Sequence, residues 1–188
     1  MNQSEIIKQM SDQEVKKSLV FSQLLFISIA FVLSVFLFDN LTDWQLYFNW
    51  QWREIVYYGI FSGLLVVSID LMIMKTIPKR FYDDGGINER IFTSLSIPEI
   101  IGVTLLIAIS EEFLFRGVIQ TVFGYVFAST LFALVHIRYL KKPLLLISVL
   151  FVSFLIGYIF EVTGNLLVTI TSHFTIDVLL GLIIYFKK

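Results

Sequence analysis

Residues 18–38 run without a single charge, and as a helix a stretch of that length crosses a hydrocarbon core of about 30 Å. It is one of several. Apolar runs recur at 55–77, where Asp70 is the one carboxylate, at 144–160 and at 166–186. In lipid each backbone N–H and C=O has to be satisfied inside the structure, so a chain built from such runs is driven to helices. Composition agrees, with 57% of 188 residues hydrophobic and 15% charged, against about a quarter charged in a typical soluble domain. The expected fold is all-α: a polytopic transmembrane helix bundle of about six spans, embedded in the lipid bilayer.

The charges between the runs set the expected topology. A mixed-charge segment, 1–17, precedes the transmembrane helical domain of 18–188. The first apolar run is too long for the core of a cleavable signal and follows a polar leader, so it is expected to stay as an anchor. The connection 39–54 carries Trp44, Trp50 and Trp52 with Tyr47 and Phe48, rings that gather at the headgroup level. Asp70 is expected as a helix-end acid near the headgroups or as a partner for a charge in the core. A polar connection, 78–96, turns at Asp83-Asp84-Gly85-Gly86. Pro98 suits the first turn of a helix running to about Phe123. Gly124 reverses it, a helix returns over 125–139, and Lys141-Lys142-Pro143 breaks that one. Thr163-Gly164-Asn165 separates the last two spans. Of the 14 basic residues, Arg53 alone falls on the far side and Arg116 within the membrane, which places both termini in the cytoplasm. A plasma membrane location is the expectation that fits this topology.

Composition also excludes chemistry. There is no cysteine, so disulfides, thiolate metal sites and cysteine nucleophiles are absent. A formal net charge of −1 gives no basis for nucleic-acid binding.

Against this background one stretch stands out. Ser110-Glu111-Glu112-Phe113-Leu114-Phe115-Arg116-Gly117 lies between 100–109 and 118–135, both uncharged. Ionisable groups at such a depth are costly and mark a functional site by default. Glu112 and Arg116 are four apart on one helix face, in the order that favours an ion pair. Glu111 points about 100° away and has no built-in partner, which makes it the candidate for proton transfer. The two histidines of the chain, His136 and His173, both fall in apolar spans. Glu111 and His136 stand almost symmetrically about Gly124, so a hairpin there sets them at one depth, with Phe132 a turn before His136. His173 and Asp177 share a face of the last helix. Two histidines and two carboxylates without a thiol point to general-base activation of water. The set Glu111, His136 and His173 could equally hold one divalent metal such as zinc, with a position open to water. No His-Glu-x-x-His helix is present.

The pattern Glu111-Glu112-x-x-x-Arg116, then Phe132-x-x-x-His136, then His173-x-x-x-Asp177 resembles the motif set of the CAAX-protease and bacteriocin-processing (Abi) family of intramembrane proteases. Thr163-Gly164-Asn165-Leu166 is similar too, and the resemblance covers a catalytic core of about 97–185. It implies an enzyme that hydrolyses peptide bonds of a membrane-associated or hydrophobic peptide, with Glu111 and His136 activating water. His173 and position 177 would stabilise the oxyanion, while Glu112 and Arg116 brace the site; members are often called metalloproteases. The eukaryotic prenyl-protein proteases have asparagine where this chain has Asp177, and an ionised carboxylate cannot donate to an oxyanion. Asp177 could instead orient His173 or bind a metal. Two other functions fit the same residues: a non-catalytic, immunity-type protein that binds a hydrophobic peptide or partner, and a proton-coupled carrier.

Overall fold

The computed structural model describes residue 7 and residues 9–187. Part of the expected 1–17 segment therefore lies outside the described residues. The first helix, α1 (Asp12–Leu37), starts ahead of the apolar run. Ser11 and Glu14 form its capping box, Glu14 N–H donating to Ser11 Oγ and Ser11 N–H to the Glu14 carboxylate at 2.7 Å, so two orphan donors are met reciprocally.

A 3-10 turn, Leu41–Tyr47, leads into α2 (Trp52–Thr76), whose first turns include a π-helical segment at Ile55–Ile60. The polar connection contains a short helix, α3 (Ile87–Ser94), set up by aspartates: Asp83 accepts from Gly85 and Gly86 N–H, and Asp84 from Ile87 and Asn88 N–H. Next, α4 begins as Ile97–Glu112, widens into a π-helix over Phe113–Gln120 and closes with Thr121–Phe123. Ser96 and Glu99 repeat the capping-box arrangement at its start. Gly124, at φ 86 and ψ 164, takes a conformation open to glycine alone and turns the chain into α5 (Tyr125–Val135). The last pair is α6 (Pro143–Thr163) and α7 (Leu166–Phe186), joined through Gly164 in the left-handed region and Asn165, whose Oδ1 accepts from Leu167 N–H at 3.0 Å.

Among the described residues there is no strand, and four helices, α1, α2, α6 and α7, are long and apolar enough to cross a membrane. The other two expected spans differ from simple crossings. α5 has 11 residues, about 16 Å of helix, half of the hydrocarbon thickness. α4 is interrupted by its π segment and buries every residue of 114–120, so it runs through the middle of the bundle rather than along its wall.

Polarity is arranged inside out. Glu112, Arg116, Ser110, Ser153, Asn165 and Thr169 are fully buried, while Phe21, Phe36, Phe61 and Phe151 are exposed. In hydrocarbon this is the favourable distribution, since apolar rings meet lipid tails and polar groups meet each other. This is a membrane protein. Trp50 and Trp52 are exposed as expected of interfacial rings, but Trp44 is turned into the bundle. It packs on Phe113 at 5.3 Å and Phe38 at 5.6 Å, and its Nε1 donates to Ser34 Oγ at 3.2 Å. The space comes from Gly117, where a Cβ would lie 2.7 Å from the indole. Asp70 is not the partner of a charge in the core: among the described residues it makes no ion pair or hydrogen bond.

Candidate active site

The site is assembled on α4 at the point where α-helix gives way to π-helix. Glu111 and Glu112 are the last two residues of the α-helical part, and both are buried, at 7% and 0% exposure. Their side chains diverge around the helix yet reach the same imidazole. His173 Nδ1 donates to Glu112 Oε1 at 2.9 Å, and His173 Nε2 stands 3.9 Å from Glu111 Oε2. Asp177, one turn further along α7, brings Oδ2 within 3.5 Å of the same Nε2. One ring thus meets three carboxylates.

Arg116 supplies the opposing charge. Its Nε lies 3.4 Å from Glu112 Oε2, and Nη2 donates to Ser153 O at 2.9 Å and to Ser153 Oγ at 3.2 Å on α6. The guanidinium stands 4.6 Å over the Phe132 ring, a cation–π contact that strengthens when water is excluded. Phe132 is the hub of the group. Its ring packs on Phe115 at 5.0 Å, on His136 at 4.8 Å and on His173 at 6.0 Å. The expected ion pair between Glu112 and Arg116 is therefore present, and the two histidines share one aromatic neighbour.

His136 is placed differently from the expectation. It lies just past the last residue of α5, at φ −78 and ψ 58, and joins the group through Phe132. Its Nδ1 is 2.8 Å from the Phe132 carbonyl; a carbonyl only accepts, so Nδ1 carries the proton and Nε2 keeps a free lone pair. Among the described residues Glu111 faces His173, and no hydrogen bond or ion pair joins it to His136. Glu111 is turned toward His173 on α7, and His136, past the end of α5, is turned back onto the Phe132 carbonyl.

No group of three or more His, Asp or Glu side chains among the described residues is placed to share an ion. His173 Nδ1 and His136 Nδ1 are committed to Glu112 and to Phe132, which leaves Nε2 as the donor on each ring; it is their spacing, with Glu111, His136 and His173 not gathered around one point, that keeps them from forming a three-ligand site here.

Among the described residues Asn165 makes no hydrogen bond to these groups and serves the helix connections instead. Besides capping α7, its Nδ2 donates to Asn49 O at 2.6 Å and ties the 39–54 connection to the bundle. Three contributors were not read from the sequence as neighbours of the site. Gln23, buried in α1, accepts from Ser110 Oγ at 2.6 Å, next to Glu111. Ser153 receives Arg116, and Trp44 fills the notch of Gly117. Gln23 left a signal, an amide inside an uncharged apolar run; a serine and a tryptophan are too ordinary in membrane helices to have done so.

Comparison with known proteins adds to this geometry. Residues 93–179, which hold all the ionisable groups above, match the family described as "Type II CAAX prenyl endopeptidase Rce1-like". The chain is 45% identical over 166 residues, 88% of each chain, to "Uncharacterized protein YpbD" of Bacillus subtilis (strain 168). No solved structure matches.

Proposed function

This chain belongs to the Rce1-like type II CAAX prenyl endopeptidase family, and from that premise we propose that it is an intramembrane endopeptidase. It hydrolyses a peptide bond of a membrane-associated or hydrophobic peptide, in a plasma membrane, as a multi-pass protein with both termini cytoplasmic. The observation that carries the reading is the pairing of Glu111 Oε2 with His173 Nε2 at 3.9 Å in a buried setting. That separation exceeds a direct hydrogen bond and suits a water between the two groups.

Glu111 takes a proton from this water as its oxygen bonds to the scissile carbonyl carbon, and His136 Nε2, the free imidazole lone pair, assists as base. The proton then passes to the amide nitrogen as the C–N bond breaks. His173, held as the imidazolium among three carboxylates, donates Nδ1–H to Glu112 and turns Nε2–H to the reacting atoms, where it stabilises the oxyanion. Asp177, 3.5 Å from that nitrogen, orients the ring, a role open to an ionised carboxylate. Glu112, Arg116 and Phe132 hold the arrangement, and no step passes through a metal.

The test is incubation of purified protein in lipid with hydrophobic and membrane-anchored peptides, followed by mass spectrometry. Wild type is expected to release two fragments, with or without chelator. Glu111→Gln is expected to bind the same peptide with cleavage reduced by about 100-fold or more, in keeping with general-base contributions. Equal cleavage by wild type and Glu111→Gln would refute the assignment.

A further inference from the structure

Asn88, Arg138 and Tyr139 form a closed polar triangle that no step above uses. Arg138 Nη2 donates to Asn88 Oδ1 at 3.1 Å and to the Tyr139 hydroxyl at 3.0 Å, and Asn88 Nδ2 donates to the same hydroxyl at 3.2 Å. The Arg138 guanidinium also stands 4.9 Å over the Tyr139 ring. That ring in turn stacks on His136, with centroids 5.7 Å apart and planes 20° apart. An asparagine on α3, fifty residues away in sequence, is thereby linked to the imidazole through one hydroxyl and one ring.

His136 needs such help. It stands past the end of α5, at the head of a 3-10 turn over Ile137–Tyr139, and the ring's one hydrogen bond among the described residues, to Phe132 O, leaves the ring plane free to rock. Contact with Phe132 and Tyr139 restricts that motion. Tyr139 can do so only while its own ring is fixed, and the hydroxyl is the atom that fixes it. We infer that Asn88, Arg138 and Tyr139 are positioning residues for His136, keeping Nδ1 on the Phe132 carbonyl and Nε2 toward the reacting atoms. Asn88 stands outside the family-matched stretch of 93–179. The inference rests on the catalytic assignment of His136 made above.

The chain has only two histidines, so ring nitrogen signals of 15N-histidine-labelled protein in lipid nanodiscs are assignable with His136→Ala. Wild type is expected to give His136 signals of a fixed Nδ1–H tautomer. In Asn88→Ala and Tyr139→Phe, which leaves the ring and deletes the hydroxyl, those signals should move toward the average of the two tautomers. His173 signals should stay in place and report an intact fold. Peptide cleavage should fall about tenfold in kcat with KM unchanged, as expected for a misplaced base, and Asn88→Asp should restore it by keeping an acceptor for Arg138. If Asn88→Ala does not fold, Tyr139→Phe alone carries the test. His136 signals unmoved in the variants would overturn the inference, whatever the activity. Tautomer mixing in the variants of a protein that cleaves no peptide would uphold the positioning role and sink the peptidase reading instead.

Discussion

Arg116 carries the largest energetic demand of any residue here. It is fully buried, close to Glu112, bound to two oxygens of Ser153 and seated over Phe132. Removing one member of such a pair strands the other charge in a low dielectric. Arg116→Ala is therefore expected to lower stability by about 3–5 kcal/mol, read as the thermal unfolding midpoint in detergent. Arg116→Lys should recover little of this, because a lysine has no planar fork to address Glu112 and Ser153 together and no flat face for Phe132. Full recovery by lysine would show that charge alone matters at this position.

At the scale of elements, the α-to-π transition in α4 does the placing. A π turn holds more residues than an α turn, and it starts directly after Glu112. Gly117 lies inside it and receives the Trp44 indole, so the 39–54 connection is pinned to the same helix that bears the carboxylates. Gly117→Val is expected to expel Trp44, shifting tryptophan emission to the red by an amount that vanishes in a Trp44→Phe background. Emission unchanged by Gly117→Val would mean the indole is held by Ser34 and Phe113 alone.

Several helix ends were legible beforehand because their causes are local: Pro98, Gly124 and Asn165 act on the nearest turn. The ion pair of Glu112 with Arg116 was legible for the same reason. The π segments were not, since side-chain packing from other helices decides whether a turn widens. Which acid meets which histidine was also out of reach, because it turns on helix rotations of tens of degrees that equal depth in the membrane does not specify. Trp44 was assigned to the interface on the general habit of its residue type, and a cavity at a distant glycine overruled it.

For the whole molecule, the inside-out polarity has two consequences. The first concerns orientation. Because the chain has no cysteine, single introduced thiols report sidedness without background. Gln45→Cys is expected to react with an impermeant maleimide added outside intact cells, and Lys79→Cys only after the membrane is breached; the reverse order would invert the topology. The second concerns cohesion. Lipid tails are as apolar as leucine, so helices in a bilayer gain little from hiding apolar surface, and the contacts among buried polar atoms bear much of the association. Those atoms here are largely the reacting ones. Glu111→Gln, which trades a poorly compensated buried carboxylate for a neutral amide, should melt at a higher temperature than wild type, by roughly 0.5–2 kcal/mol of added stability. Selection for toughness and selection for turnover then pull on the same handful of side chains, and a relative that had lost its reaction would be free to settle into a sturdier, silent bundle.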